Sequence, residues 1–368
     1  MKTVLILGAT GLFGGHLARQ LLECGRYDVI CAGRSEAKLA AFTTANGGRF
    51  VAFDRAHPES ALNSTKPFVV VDAAGPFQDY GNQPYGFARA CLTAGAHYLD
   101  IADAPDFVQN ISSLDTIAKA SSLCAISGAS TTPALSSAVV AELSTDLDSL
   151  IQIETTILPG NKTPRGLSVM RAILGQIGQP MPLWEHNTWN KAIGWSRLTK
   201  VGLKVGTTEL PRRPASLINT PDALLAAHFK ARTVLPRAGL ELGLFHHTLR
   251  LARFLVQTGL VKSLAPLSRP AHRVAGWFEG MGSSVGGMRV AVIGTQNNRH
   301  IKREWDLIAN DGHGPKIPVQ PAALLIDHLS DGKIPSGARP CIGELELHEL
   351  EAAMARFGAR SEIRTTQI

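Results

Sequence analysis

The apolar positions of residues 1–145 recur in short runs that alternate with longer segments of helical spacing. Val4–Leu7 has no polar interruption, which is typical of a strand buried on both faces of a parallel sheet. Comparable runs predict further strands at 27–33, 49–53, 68–71, 96–100 and 123–126. The alternation predicts an α/β fold in which residues 1–145 form an N-terminal Rossmann domain with a doubly wound parallel sheet.

Beyond residue 145 the apolar runs give way to alternation of apolar and polar positions. Residues 150–157 alternate in this way, and residues 285–294 and 300–308 predict the two strands of a hairpin. We therefore expect a second α+β domain, residues 146–340, built on a mixed or antiparallel sheet and used for substrate binding and dimerisation. Residues 341–368 are expected to form a C-terminal helix and tail that pack back on the protein.

The first predicted strand runs directly into a glycine-rich turn and then a helix. Gly8 permits the tight turn, Gly11 lets the backbone approach a pyrophosphate, and Gly14 lets the helix pack close to the strand. The helix N-terminus would point unpaired N–H groups at the phosphates. The order of strand, turn and helix predicts a dinucleotide site, and the alternative is a glycine-rich turn of an α/β protein that binds nothing. The predicted cofactor contacts are Gly8, Thr10, Gly11, Leu12, Phe13 and Gly14.

The end of the second predicted strand indicates which dinucleotide is bound. Arg34 and Ser35 stand where NAD-specific enzymes usually place an acid for the ribose 2′-hydroxyl. A guanidinium matches phosphate oxygens, and the Ser35 hydroxyl is a further donor, so NADP(H) is favoured. The alternative is that Arg34 only caps a strand in solvent. Asp54, after the third strand, is interpreted either as a contact to the adenine edge or as the N-cap of a helix at 58–60.

In an open parallel sheet the ligand lies beyond the carboxyl ends of the strands. The loops that should converge there are 8–15, 34–35, 74–80, 100–105 and 127–133. One of them is expected to form a wall along the nicotinamide ribose, through Ala74, Gly75, Pro76 and Phe77.

Hydride transfer also needs an oriented acceptor and, in many enzymes, a proton donor. The candidates for this chemistry are Tyr98, Asp103 and His186. Asp103 is the choice for orienting substrate or relaying a proton, with a helix N-cap as the alternative. His97 and Asp100 flank Tyr98, although His97 is expected to face the opposite side of the sheet. His186 would act from the second domain, or it is a structural histidine between two tryptophans.

Composition and charge narrow the class of protein. The chain has 368 residues, 45% apolar residues and a net charge of +7, without the basic, aromatic-interleaved stripe of a nucleic-acid-binding protein. An anionic cofactor or substrate explains the charge. The five cysteines lack metal-ligand spacing, so no metal is expected, and they resemble the reduced thiols of a cytoplasmic protein. The apolar stretch after Met1-Lys2 is too short for a signal peptide.

Several segments together resemble a known family. These are GATGLFGG at 8–15, DAAGPFQDYG at 72–81 and ARACLTAGAHYLDIAD at 88–103. Over about residues 3–145 the chain resembles the saccharopine dehydrogenase-like (saccharopine reductase-like) NADP-binding oxidoreductases. The resemblance implies a Rossmann domain joined to an α+β domain that shapes the substrate site and often dimerises. It also implies hydride chemistry on C–N bonds of amino-acid conjugates, while relatives act as trans-acting enoyl reductases.

The chain departs from the family pattern after the fifth strand. The family usually has Tyr-x-Asp-x-small-Gly-Glu there, whereas this chain has Tyr98 and Asp100 followed by Ala102, Asp103 and Ala104. The missing glycine and glutamate disfavour an amino-acid substrate and leave the oxidoreductase assignment in place.

We therefore expect an NADP(H)-dependent oxidoreductase acting on a C=N/C–N or conjugated C=C bond of a small molecule. One alternative is a non-catalytic NADPH-binding regulatory protein that signals through a partner. The other is an atypical short-chain carbonyl reductase, which is disfavoured because no tyrosine in the chain has a lysine four residues later.

The segment 243–267 is apolar and carries several arginines and histidines. It should not span a bilayer, because Arg250 and Arg253 lie in its middle. It either contacts a membrane peripherally, lines an acyl tunnel, or packs as an amphipathic helix on the second sheet or at a homodimer interface. Its apolarity favours a hydrophobic substrate. His246 and His247 point about 100° apart on a helix and do not predict a metal site.

Overall fold

The computed structural model describes residues 1–368 and contains two large sheets and one separate hairpin. The strands are β1 Lys2–Leu7, β2 Tyr27–Gly33, β3 Arg49–Ala52, β4 Val69–Asp72, β5 His97–Asp100, β6 Cys124–Ser127, β7 Ser149–Leu158, β8 Pro180–Glu185, β9 Thr188–Ile193, β10 Thr199–Val205, β11 Thr208–Leu217, β12 Thr233–Gly239, β13 Gly286–Gln296, β14 Arg299–Ala309, β15 Gly337–Pro340 and β16 Arg360–Gln367.

The α-helices lie between these strands in both halves of the chain. They are α1 Leu12–Cys24, α2 Glu36–Asn46, α3 Glu59–Thr65, α4 Gly86–Thr93, α5 Pro105–Asn110, α6 Asp115–Ala120, α7 Ser136–Ser144, α8 Leu167–Gln176, α9 Leu225–Phe229, α10 Gly243–Gln257, α11 Ser268–Trp277, α12 Gln320–Ser330 and α13 Leu347–Ala355.

The chain forms two units, each made of two segments. Unit 1 comprises Met1–Ala134 and Pro315–Leu345, and unit 2 comprises Leu135–Gly314 and Glu346–Ile368. Residues 315–340, expected from the sequence to belong to the second domain, instead return to unit 1. The reason is that β15 adds to the Rossmann sheet beside β6, a pairing between residues more than 200 positions apart.

Unit 1 contains a parallel sheet in the order β15-β6-β5-β4-β1-β2-β3. Its central strands are apolar because both faces are covered, and Val4, Leu5 and Ile6 are completely buried. The chain runs from β1 outward to β3 and then crosses to β4 on the other side of β1. The switch point where a ligand is expected therefore lies beyond the carboxyl ends of β1 and β4. The predicted doubly wound parallel sheet is confirmed.

Unit 2 contains a mixed sheet in the order β10-β11-β12-β7-β13-β14-β16, in which only the β12–β7 pair is parallel. The predicted hairpin is present as β13 and β14. Its two-residue turn, Asn297-Asn298, has φ angles of 51° and 62°, a left-handed geometry that asparagine tolerates. The tail after α13 forms the edge strand β16 against β14.

Candidate cofactor-binding site

The glycine turn after β1 is tightly packed from both sides. Gly8 has a φ of +83°, and a Cβ there would lie 2.8 Å from the Ala73 carbonyl oxygen. A Cβ on Gly14 would lie 2.4 Å from the Gly8 carbonyl oxygen, well inside van der Waals contact. The segments after β1 and β4 and the start of α1 thus approach more closely than any larger residue permits. This is the close packing expected of Gly8 and Gly14.

The N-terminus of α1 opens from this turn. Its N-cap is Gly11, so no side chain caps the helix, and its first turn holds no acid. The Gly11 N–H donates to the Gly8 carbonyl at 2.8 Å, which holds the turn closed. Thr10 is exposed, while Leu12 and Phe13 are half-buried. Because an uncapped helix start offers backbone N–H donors and a partial positive charge, the turn can receive an anion such as a pyrophosphate.

Arg34 and Ser35 connect β2 to α2 and are both exposed. The Arg34 guanidinium makes no hydrogen bond or ion pair within the protein. The Ser35 hydroxyl accepts a weak hydrogen bond from the Lys38 N–H at 3.4 Å and so caps α2. The hydroxyl can still donate, since capping uses only a lone pair. The arrangement therefore leaves one free guanidinium and one hydroxyl at the end of β2.

Asp54 lies in a turn after β3. Its carboxylate accepts from the Ala56 N–H at 3.0 Å, and its carbonyl accepts from the His57 N–H at 2.9 Å. The N-cap of α3 is Pro58, so the helix-capping interpretation of Asp54 is wrong. The physical reason is that a self-contained turn separates Asp54 from the helix. Asp54 remains exposed, and an adenine contact stays a prediction.

The loop after β4 is held by a buried carboxylate, Asp72, which is not among the predicted site residues. Asp72 accepts hydrogen bonds from the Ala74 N–H at 3.0 Å and the Tyr80 hydroxyl at 2.8 Å. Burial raises the pKa of the Asp72 carboxyl, and these hydrogen bonds oppose that shift. The Arg55 guanidinium lies 3.6 Å from the Tyr80 ring centre and also donates to the Ala74 carbonyl. An acid at the last position of an apolar strand is the signal that could have identified Asp72.

The expected wall, Ala74–Phe77, follows Asp72. The Phe77 ring is buried, stacked on Tyr80 at 4.9 Å and packed against Phe107 at 5.3 Å between ring centres. Only the backbone and the half-buried Ala74, Gly75 and Pro76 are therefore available to line a ligand. The ring of Phe77 supports this wall from behind.

Asp100 ends β5 directly beside Asp72, its partner in the strand register. One carboxylate oxygen accepts from the Ala102 N–H at 3.0 Å, the Ser127 hydroxyl at 2.8 Å and the Gly128 N–H at 2.8 Å. Its other oxygen, Oδ2, is buried without a partner. Burial raises the pKa of Asp100 to about 7, opposed by these hydrogen bonds and reinforced by the nearby Asp72 charge. Asp100 thus joins the loops after β5 and β6.

Asp103 is exposed and accepts a hydrogen bond from the Gln78 amide at 3.0 Å. The N-cap of α5 is Ala104, so the capping interpretation of Asp103 is wrong. The extended backbone at Ala104 places the helix start one residue later than that alternative requires. Asp103 and Gln78 thus form a polar pair between the loops that follow β5 and β4.

Tyr98 and His97 also lie on β5, but neither side chain is exposed at the carboxyl ends of the strands. Tyr98 is only 1% exposed, packs against Phe87 and points its hydroxyl at Asp72, 3.5 Å away. Direct contact with substrate is not supported for Tyr98, because it lies inside the apolar core. His97 begins β5, at the opposite end from the crevice, and accepts from the Cys124 N–H at 3.0 Å.

His186 lies in unit 2, in the tight turn between β8 and β9. It is exposed with a φ of 58°, and its N–H donates to the Thr233 hydroxyl at 3.2 Å. Its backbone therefore has a turn-forming role within unit 2. Its assignment to catalysis stays a prediction.

The comparisons with known proteins agree with this geometry. Residues 4–126 match the family model of the saccharopine dehydrogenase NADP binding domain. No curated protein is similar enough in sequence to count as a relative. Among solved structures, saccharopine dehydrogenase (L-Glu forming) from Saccharomyces cerevisiae is 12% identical and matches with a TM-score of 0.68 over 100% of both chains. At this identity the match shows the fold.

Two further solved structures are more distant. A probable dehydrogenase from Thermotoga maritima is 9% identical, with a TM-score of 0.47 over 99% of this chain and 98% of that chain. A biliverdin reductase from Synechocystis sp. PCC 6803, solved with biliverdin and NADP+, is 12% identical, with a TM-score of 0.41 over 96% of each chain.

The glycine cradle, the uncapped helix and the family model fit a nicotinamide dinucleotide, and the family model supports an oxidoreductase. The expected resemblance is confirmed. Residues 4–126 are thus similar to the saccharopine dehydrogenase NADP binding domain, and the whole chain shares the fold of a saccharopine dehydrogenase.

Proposed function

We propose that this protein is an NADP(H)-dependent oxidoreductase that transfers a hydride to or from a C=N/C–N or conjugated C=C bond of a small molecule. The observation that carries the cofactor choice is the free Arg34 guanidinium at the end of β2. A cation at this position accommodates a 2′-phosphate, whereas the acid that would bind a ribose 2′-hydroxyl is missing from the strand end.

Three groups of residues would hold the cofactor. The turn Gly8–Gly14 and the start of α1 would bind the pyrophosphate, and Arg34 with Ser35 would bind the 2′-phosphate. The backbone of Gly75 and Pro76 would border the nicotinamide ribose. When bound, NADP(H) supplies the hydride, so the protein has to supply binding, orientation and a place for any proton.

The polar pair Gln78–Asp103 would orient the substrate. This role is supported by the exposure of both side chains and by their positions in the two loops that follow β4 and β5. Asp72 and Asp100 would act through these loops, because each accepts a hydrogen bond from one backbone N–H of the loop that follows it, that of Ala74 and that of Ala102. They are positioning residues in this proposal.

Titration of the protein with NADPH and with NADH, followed by nicotinamide fluorescence, tests the cofactor assignment. We expect tighter binding of NADPH, and we expect Arg34→Ala to weaken NADPH binding by about 1–3 kcal/mol with little effect on NADH. Arg356→Ala is the matched control, because Arg356 is equally an exposed arginine but lies in unit 2. Equal loss of both cofactors in Arg34→Ala, or no loss, would contradict the assignment.

Consumption of NADPH with a panel of imines and enones tests the reaction. Asp103→Asn, which keeps an oxygen that can accept from Gln78, should lower turnover while leaving NADPH affinity unchanged. Tight binding without turnover of any C=N or C=C compound would favour the regulatory alternative. Turnover restricted to carbonyl compounds would favour the carbonyl reductase.

A further inference from the structure

Helix α10 is apolar on two opposite faces. One face packs into the core of unit 2 around Ile177, Trp195 and Leu264, and consists of Phe245, Leu249, Ala252 and Val256. The other carries Leu244, Leu251 and Phe254, which are 57%, 62% and 59% exposed. Packing as an amphipathic helix on the second sheet, one of the roles predicted for this segment, accounts for the first face alone. The second is a row of large apolar side chains in solvent.

Helix α11 has a similar exposed face. Arg269, Arg273 and Trp277 follow one another at four-residue spacing, which places them along one side of the helix. Trp277 is 80% exposed, and Val274 beside it is 42% exposed. The Phe245 ring lies 5.4 Å from the Phe278 ring, so the start of α10 adjoins the end of α11. We call the exposed faces of the two helices the α10–α11 surface.

The charge of this segment has a single sign. Residues 243–278 contain five Lys or Arg and three His, and neither Asp nor Glu. Arg253 donates to the Trp195 carbonyl and is half-buried, whereas Arg250, Arg269 and Arg273 are exposed. These three guanidinium groups make no hydrogen bond or ion pair within the protein. Free cations therefore stand beside free apolar side chains.

We propose that the α10–α11 surface binds the surface of an anionic phospholipid bilayer. Exposed Leu, Phe and Trp side chains beside arginines are the pattern of helices that lie in the membrane interface, where apolar groups enter the acyl boundary and cations meet the headgroups. No helix in the structure has the length and apolarity needed to cross a membrane. The surface thus attaches the protein in the plane of the interface.

A second copy of the chain fits this surface less well. A twofold interface brings the same patch of both copies together, so the three free arginines would face their own equivalents without an acid in 243–278 to pair with them. An anionic bilayer instead supplies the opposite charge along the whole surface. Charge complementarity therefore favours lipid.

Flotation of the full-length protein with lipid vesicles tests this proposal. We expect it to float with phosphatidylcholine vesicles containing about one third phosphatidylglycerol, to bind pure phosphatidylcholine far less, and to be released by high salt. The triple variant Arg250→Gln/Arg269→Gln/Arg273→Gln should bind roughly a hundredfold more weakly. Arg212→Gln/Arg299→Gln/Arg356→Gln is the control, because it removes the same charge from exposed arginines of unit 2 outside the surface.

The apolar contribution is tested separately. Leu251→Ser/Phe254→Ser/Trp277→Ser should weaken vesicle binding more than a hundredfold. The control Trp189→Ser/Leu198→Ser replaces side chains that are similarly exposed elsewhere in unit 2 and should bind as the parent does. All variants should melt as the parent does, since the replaced groups are exposed.

Three outcomes would overturn the proposal. The first is no binding to anionic vesicles, and the second is equal weakening in the surface and control variants. The third is a dimer, measured by light scattering, that the surface variants dissociate while vesicles bind none of the proteins; the surface would then be an interface between copies. NADPH affinity, measured by titration of the same variants, should equal that of the parent whichever way the vesicle experiment turns out.

Discussion

The two large sheets differ in where they place their polar groups. In unit 1 the central strands are apolar and buried over Val4–Leu7 of β1 and Val69–Val71 of β4, and polar side chains gather in the loops at the carboxyl ends. In unit 2 the strands themselves bury charge, since Asp306 in β14 is completely buried against Arg289 of β13. A parallel sheet covered on both faces sends polar chemistry to its ends, where ligands bind. The mixed sheet of unit 2 instead buries an ion pair between neighbouring strands, where it contributes to the fold.

The largest expected effect comes from removing the charge buried in unit 2. Asp306 accepts from Arg289 Nε at 2.6 Å, from Arg289 Nη2 at 2.7 Å and from Arg364, and also from the Lys204 N–H at 2.9 Å. We expect Asp306→Ala to lower the free energy of unfolding by about 3–5 kcal/mol, because Arg289 and Arg364 lose a buried carboxylate and the Lys204 N–H loses its acceptor. Denaturant titration measures this. NADPH affinity should persist in the folded fraction, in contrast to variants of the glycine turn.

Glu209→Ala is the control for that prediction. Glu209 pairs with Lys204 at 3.0 Å, but both side chains are more than half exposed. Its loss should change the free energy of unfolding by less than about 1 kcal/mol. An equal loss of stability in the two variants would mean that burial does not set the strength of these ion pairs.

The second largest effect is expected in unit 1, where a substitution in the glycine turn should abolish cofactor binding. Gly14→Val places side-chain atoms against the Gly8 carbonyl, where even a Cβ would lie at 2.4 Å. We expect loss of NADPH binding together with about 1–3 kcal/mol of stability, because the turn must open to relieve the clash. Fluorescence titration and thermal melting measure the two losses. Gly243→Ala should leave both quantities unchanged, because no other atom lies within 4 Å of a Cβ added there.

A third effect is a dependence of stability on pH that arises from the buried Asp100 of unit 1. Burial raises the pKa of Asp100 to about 7 from an ordinary value of 3.8, so the folded protein holds a proton that the unfolded chain has released. The resulting stabilisation is complete below about pH 4 and is lost as the pH rises to 7, on the order of 4 kcal/mol in all. Melting from pH 4 to 8 should show this fall. Asp100→Asn should flatten it, and an unchanged slope would assign the titration to another group.

The smallest effect concerns Ser35. Ser35→Ala removes the cap of α2 and should cost about 1 kcal/mol or less in stability, given the long 3.4 Å hydrogen bond. It should also weaken NADPH binding modestly, through loss of the hydroxyl donor. Ser35→Asn restores a capping oxygen and should recover stability. Recovery of stability without recovery of affinity separates capping from cofactor binding.

Much of unit 1 could be predicted from the sequence because its signals are contiguous. The apolar run Val4–Leu7, the turn Gly8–Gly14 and the strand end at Arg34 each lie within a few residues, and the structure places all three as the pattern indicates. The hairpin of β13 and β14 was also predictable, because two alternating runs flank a short asparagine turn. Periodicity and turn chemistry act locally and therefore show in a single sequence.

The errors arose where distant residues meet. The segment 315–345 has a strand, β15, with few β-branched residues, and only its pairing with β6 assigns it to unit 1. Tyr98 lies two residues before Asp100 in the chain and is a predicted catalytic residue, yet it is buried in the core. The helix-capping alternatives for Asp54 and Asp103 failed because each helix began later than expected.

The sequence by itself determined the fold class of unit 1, the place of the glycine-rich turn after β1, the cation at the end of β2 and the acid-free composition of 243–278. These depend on residue type and short spacing. Only the tertiary structure decided that Asp72 meets Tyr80, that Asp100 binds Ser127 and Gly128, and which face of α10 remains in solvent. Such contacts join elements far apart in the chain. The local sequence pattern does not distinguish the possible partners of these residues, and only burial in the folded protein selects among them.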